Sequence, residues 1–356
     1  MILTVLIALF SLIILIVIHE FGHFILAKKF GTKVEEFGVG YPPRLFGRQF
    51  GETFYSINLL PFGAFVKIRG EQGGVEDYRS FIGLPMWQRI SIVLGGVVSF
   101  WIVSAILLSV VAGVWGLPVA VNDDDNSNLI EPKVQVALVM PDSPARAADL
   151  KTGDVILGFD KVRDLQDFIK EQPAQEVTLM VKRGQDVYEK NIALRTSYPV
   201  DEGPLGIGLT RVALKPYPWY QAPVQGVLAC GQLTANIVQG WVMGVKSMVG
   251  LEELPKGVEM ELRGPLGILD LLREYFNLGI NYFLFLVSLI SVALALVNIL
   301  PIPALDGGKI VFLCVEWLRG RPINYKTEQK ISATFFILMI LLLIFVTIKF
   351  DIPRLF

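Results

Sequence analysis

The chain has 356 residues, a net charge of −1, 53% apolar residues and only 18% charged ones, with a mean hydropathy of +0.54. So much apolar surface excludes an ordinary soluble domain and points to the bilayer. No basic stripe with interleaved aromatics is present, which excludes nucleic acid as a partner.

Four stretches are long and apolar enough to span a membrane. The first occupies residues 1–29 and opens with Ile2 to Ile18, polar only at Thr4 and Ser11. It lacks a basic leader and a small-residue cleavage site, so it reads as a retained helix. Residues 30–86 form a basic loop. Within it, residues 54–59 and 64–68 read as short strands, with the Leu60-Pro61-Phe62-Gly63 turn joining them as a hairpin. An apolar hairpin here would dip into a protein-lined cavity at the membrane.

The second span is expected at 87–117, followed by a linker at 118–132 whose core, Asn122 to Asn128, is acidic. Residues 133–197 read as a small α/β domain. Val134–Val139 and Val177–Lys182 suit strands, Leu165–Glu171 a helix, and Asp142 or Ser143 caps a short helix. Residues 198–278 follow. From Pro216 to Gly250 they suit an amphipathic helix, lying at the interface or packing on the central domain. The third span is expected at 279–318, a loop at 319–330, and the fourth span with its tail at 331–356.

Basic residues cluster in the loops after spans one and three, among them Lys28, Lys29, Arg319 and Arg321. Both loops therefore read as cytoplasmic, which leaves the N-terminus, the central domain and the C-terminus outside. The two cysteines, Cys230 and Cys314, form no CxxC pair, so neither a thiolate metal site nor a disulfide framework is indicated, and both read as buried small hydrophobes.

The only two histidines stand in His19-Glu20-Phe21-Gly22-His23. Residues four apart share a helix face, so both imidazoles can reach one metal ion, and Glu20 lies beside them to take a proton from water. Ionisable groups inside an apolar span are costly and are kept for function. A catalytic zinc needs a third protein ligand and an open position. With no histidine left, that ligand is a carboxylate or a cysteine. Asp306 leads, because it follows an apolar span, Pro301 and Pro303 break the helix before it, and Gly307-Gly308 permits close approach. Two alternatives stand beside this: a local Asp306–Lys309 pair, and Glu316 as the ligand.

His19-Glu20-Phe21-Gly22-His23 together with Asn298-Ile299-Leu300-Pro301-Ile302-Pro303-Ala304-Leu305-Asp306-Gly307 resembles the site-2 protease family of intramembrane zinc metalloproteases. Leu60 to Lys67 resembles an element of its bacterial branch of RseP-like regulator-of-sigma-E proteases. The resemblance implies that His19, His23 and Asp306 bind Zn2+ and that Glu20 is the general base. It places Asn298 near the substrate backbone or the oxyanion, and Gly63, Ala64, Phe65, Val66 and Lys67 along an extended substrate segment. Val139 to Ala145 and Leu150 to Ile156 resemble a PDZ domain, which would dock a peptide or a substrate ectodomain.

The expected fold is thus a polytopic α-helical membrane protein with four transmembrane helices, a membrane-associated β-hairpin and one extracytoplasmic PDZ-like α/β domain. The expected function is regulated proteolysis of single-pass transmembrane substrates, such as anti-sigma-factor-like proteins or signal-peptide remnants, in the lipid of a bacterial inner membrane, with the site towards the cytoplasm. A membrane-anchored protease with a soluble site would place HExxH outside an apolar run. An inactive PDZ adaptor would lack Glu20 or Asp306. A metal transporter would spread its ionisable groups along a path.

Overall fold

The computed structural model describes residues 2–71, 77–125, 127–172, 176–199, 202–254, 256, 262–321 and 323–355. Asn126, within the expected acidic linker, lies outside them. The chain divides into two compact units.

The first unit comprises Met1–Leu107, Leu262–Arg273 and Phe285–Phe356. Helix α1 (Ile2–Lys29) runs unbroken because nothing in its apolar run removes a backbone donor. Strands β1 (Val34–Phe50) and β2 (Thr53–Ile68) follow. The expected hairpin is corrected here. Residues 54–57 and 64–67 do not pair with each other: both pair with β1 at Glu36–Val39, one on each side. Leu60 to Gly63 is a bend within β2 that carries the chain around β1. Sequence reading missed β1 because Gly38, Gly40, Pro42, Pro43 and Gly47 resemble loop punctuation.

Further helices follow in the chain. Helix α2 spans Met86–Val114. The expected third span is not one helix but two, α7 (Ile280–Ile299) and α8 (Asp306–Arg319). The interruption carries Pro301 and Pro303, which cannot donate to a helical ladder. Ala27, Val34, Ile68, Phe81, Ile92, Val93 and Leu313 form one buried cluster that holds α1, both strands, α2 and α8 together. Helix α9 (Tyr325–Val346) has no buried residue. Its end winds into a π turn at Thr347–Asp351. There the fully buried Asp351 accepts the Gly264 N–H at 2.8 Å.

The second unit comprises Leu108–Glu261 and Glu274–Leu284. Its six-stranded sheet has the order β3-β8-β4-β5-β6-β7. The strands are β3 (Leu117–Val121), β4 (Ile130–Val139), β5 (Val155–Ile156), β6 (Glu176–Arg183), β7 (Asp186–Ala193) and β8 (Ile207–Lys215). Every pairing is antiparallel. The sheet therefore draws β3 from the stretch read as linker and β8 from beyond residue 197. Helices α3 (Pro144–Ala147) and α4 (Val162–Lys170) complete this α/β layer. Ser143 caps α3 by accepting the Arg146 N–H at 3.1 Å. Val134, Val136, Ile156, Leu165, Val177, Leu179, Val181 and Ile192 are among its core residues. They alternate along β4 and β6, as a half-buried sheet requires.

Helices α5 (Ala222–Met248) and α6 (Pro265–Leu278) follow, and then α7 (Ile280–Ile299). Helix α5 buries only Ala222, Gly226, Cys230 and Gly244. It exposes Val224, Val227, Leu228, Trp241, Val242 and Val245. Cys230 is buried as expected, but Cys314 is exposed, because it lies on the outer side of α8, away from the buried Leu313.

Among the described residues, four helices, at Leu3–Lys29, Met86–Val114, Ile280–Ile299 and Tyr325–Asp351, are long and apolar enough to cross a bilayer. The chain is a polytopic membrane protein with a β-rich part.

Candidate metal centre

The centre is assembled from α1, α2 and the start of α8. His19 and His23, one turn apart on α1, are each 8% exposed. Their Nε2 atoms lie 3.3 Å apart. Asp306 Oδ2 lies 3.3 Å from His19 Nε2 and 3.4 Å from His23 Nε2. The three donor atoms thus form a nearly equilateral triangle.

That triangle fits zinc. With bonds of about 2.0–2.1 Å, a tetrahedral ion separates its ligand atoms by about 3.3–3.4 Å. Two imidazole nitrogens and one carboxylate oxygen are its customary donors, and the fourth corner stays open. Asp306 Oδ2 is buried and has no hydrogen-bond partner among the described residues. A carboxylate oxygen in that position is costly unless a cation faces it.

Helix α2 supplies the surroundings. The His23 Nδ1–H donates to the Ile92 carbonyl at 2.9 Å. Because a carbonyl can only accept, Nδ1 carries the proton and Nε2 keeps its lone pair for a cation. The His19 ring stacks on Phe100 with centroids 4.7 Å apart. Between these two contacts lies Gly96, where a Cβ would fall 2.2 Å from His23 Nε2 and 2.7 Å from His19 Cε1. Ile92, Gly96 and Phe100 recur every four residues, so one face of α2 holds both imidazoles. That face is fixed in turn by α7, whose Ser291 Oγ donates to the Phe100 carbonyl at 2.8 Å.

Sequence reading missed Gly96. A glycine in an apolar helix looks like ordinary helix packing, and only the distance to the imidazoles reveals its role. Gly22 and Gly95 extend the same contact, since a Cβ on Gly22 would lie 2.2 Å from the Gly95 carbonyl oxygen.

Asp306 opens α8, where the helix dipole favours a carboxylate. Its position depends on Gly307 and Gly308. A Cβ on Gly307 would lie 2.2 Å from the Leu300 carbonyl oxygen, and one on Gly308 2.2 Å from that of Ile302. Lys309 and Glu316, the residues of the two alternative readings, have other partners. Lys309 pairs with Glu71 and not with Asp306. Glu316 is taken by Arg89, which donates to it at 2.6 and 3.1 Å.

Glu20 follows His19 on α1, half-buried and within electrostatic reach of His23 and Asp306. Asn298, in the last turn of α7, donates from Nδ2 to the Leu294 carbonyl at 2.9 Å. Along β2, Ala64 is buried, Phe65 stacks near Tyr41, and Lys67 pairs with Glu35 at 3.1 Å. Gly63 adopts φ +125°, and a Cβ there would lie 2.9 Å from the Tyr41 ring. Val66 pairs with Phe37 of β1. Outside the membrane-spanning segments, the turn joining β1 to β2 carries Glu52, which bonds to Lys28 of α1 at 2.9 Å and to Arg79 at 2.6 Å. These two cations hold its carboxyl down at about 2 and tie the strands to the end of α1.

A zinc-type triad on membrane helices, with a glutamate beside it, defines the class: a membrane-embedded metallopeptidase. Residues 7–342 match peptidase family M50, and the chain belongs to that family. It is 31% identical to a Clostridium perfringens protein named as a zinc metalloprotease, over 96% of both chains. It is 27% identical to the regulator of sigma-W protease RasP of Bacillus subtilis, again over 96% of each. To the zinc metalloprotease RasP of Oceanobacillus iheyensis it is 24% identical, over 96% of this chain and 97% of that one. The chain is a zinc metalloprotease of the site-2 type.

Proposed function

We propose that this protein hydrolyses a peptide bond within or beside the transmembrane segment of single-pass membrane proteins, with His19, His23 and Asp306 as zinc ligands and Glu20 as the general base. The observation that carries this reading is the triangle of 3.3, 3.3 and 3.4 Å among the three donor atoms. Zinc, when bound, supplies a Lewis acid that polarises the peptide carbonyl and makes water ionisable near neutral pH.

The chain's own groups do the rest. Glu20 takes a proton from the attacking water and passes it to the departing amide nitrogen. His23 is fixed in the required tautomer by Ile92. Asn298 steadies the substrate backbone or the oxyanion. Gly63 to Lys67, whose outer edge faces away from β1, pairs with the substrate as an added strand, which unwinds its helix before cutting. In this reading the centre faces the cytoplasm and the six-stranded unit lies outside as a PDZ-like module that docks substrate ectodomains, an orientation that the basic loops support. The sigma-W name of one relative favours anti-sigma-factor-like substrates; signal-peptide remnants have the same chemistry.

The test is zinc per chain in detergent, paired with cleavage of a single-pass model substrate. Wild type holds about one zinc and Asp306→Ala at least tenfold less. Glu20→Gln keeps its zinc and loses cleavage by at least a hundredfold. Cleavage by Glu20→Gln at the wild-type rate would overturn the mechanism.

A further inference from the structure

Beside Asp306 lies an open cavity of about 490 Å3 between α8 and α9. Val66 of β2 reaches it, as do Asp306, Lys309 and Phe312 of α8. From α9 come Tyr325, Glu328, Gln329 and Ser332. Those four recur at i, i+3, i+4 and i+7, so they share one face of the first two turns of α9, just before its apolar run.

The charges in this space do not balance. Lys309 is neutralised by Glu71, and Arg89, at the neighbouring smaller cavity, by Glu316. Glu328 lines both cavities, is half-buried, and has no ion-pair partner within 4.0 Å among the described residues. Phe312, Tyr325 and Phe336 supply aromatic wall around it. A carboxylate with aromatic and aliphatic walls suits one side-chain type, a cation on a long apolar stem. The volume is ample for a lysine or arginine side chain together with water.

We infer that this cavity is a subsite for a basic side chain of the membrane substrate, with Glu328 as its specificity-determining residue. Transmembrane segments carry lysine and arginine on the side where this chain has its own basic loops. A substrate strand laid along β2 at Val66 and crossing Asp306 delivers such a flanking residue to Glu328. The cavity therefore selects where along the segment the cut falls. The inference rests on the proteolytic reading above and adds the substrate chemistry to it.

The experiment uses the full-length protein in detergent with three single-pass model substrates, identical except for Lys, Gln or Glu at the flank on the basic-loop side. Wild type is expected to cut the Lys form roughly tenfold faster in kcat/KM than the Glu form, with Gln between, the scale of one desolvated charge pair. Glu328→Gln flattens that order, and Glu328→Lys reverses it. Zinc content, measured in parallel, shows that each variant keeps an intact centre. Equal rates for the three substrates in wild type, or an unchanged order in Glu328→Gln, overturn the subsite while leaving the protease standing. Failure of zinc-loaded wild type to cut any of the three overturns the proteolytic reading and the subsite with it.

Discussion

At the scale of single residues, the metal centre depends as much on missing side chains as on present ones. Gly96→Ala places a methyl group 2.2 Å from His23 Nε2, and neither the backbone of α2 nor the imidazole is free to move away. The expected outcome is a folded protein with at least a tenfold loss of bound zinc, read by metal analysis beside an unchanged circular dichroism spectrum. Glu52 carries a pH prediction. Its carboxyl titrates at about 2 in the folded chain, below its ordinary value near 4.5. A lowered pKa stabilises where the unfolded group is already ionised. The tie to Lys28 and Arg79 is therefore fully present above about pH 4.5 and fades as pH falls through about 2. The melting difference between wild type and Glu52→Gln is then flat from pH 5 to 8 and vanishes towards pH 2. The convergence of His19 and His23 was legible in sequence because they stand one helical turn apart. Gly96 was not, since its role exists only across two helices.

At the scale of elements, the breaks matter more than the helices. Pro301 and Pro303 marked a helix break before Asp306 in the sequence, yet 279–318 read as one span; the chain turns there between α7 and α8. What the sequence did not show was β1, because its glycines and prolines read as loop while its pairing with both halves of β2 is a long-range property. In the six-stranded sheet, β7 and β8 were missed for a related reason. The exposed alternation of β7 and the glycine-rich start of β8 give little hydrophobic pattern. The link between β6 and the loop before β5 is an ion pair. Asp154, 1% exposed, accepts Arg183 at 2.7 and 2.8 Å and the Lys151 N–H at 2.9 Å. Arg183 keeps Asp149 as a second partner, so Asp154→Ala should cost about 2 kcal/mol, the scale of lost hydrogen bonds to a charged group. Urea unfolding followed by the exchange of the β4 and β6 amides measures it.

At the scale of the whole molecule, the four apolar helices were plain from composition, since nothing but a bilayer accommodates them. The division into units was less plain, because the second unit joins Leu108–Glu261 to Glu274–Leu284, the junction of α6 with α7, across a stretch that belongs to the first unit. Gln185 bonds to the Asn277 carbonyl at 2.9 Å, and Lys133 lies 5.5 Å from the centroid of the Tyr282 ring. Long-range contacts of this kind leave no local trace. The orientation proposed from the basic loops is testable with single cysteines in a Cys230→Ser, Cys314→Ser background. A membrane-impermeant thiol reagent should label Glu189→Cys on intact cells, and Arg321→Cys only after permeabilisation; the reverse pattern inverts the topology.

The close contacts at Gly22, Gly95, Gly96, Gly307 and Gly308 have an evolutionary consequence. Every single-base missense change of a glycine codon adds at least a Cβ. At these five positions, none of the amino acids reachable in one mutational step fits without a shift of the backbone or the imidazoles. A genetic screen scoring loss of metal would therefore return more positions than there are ligands, and would count empty space as though it were chemistry.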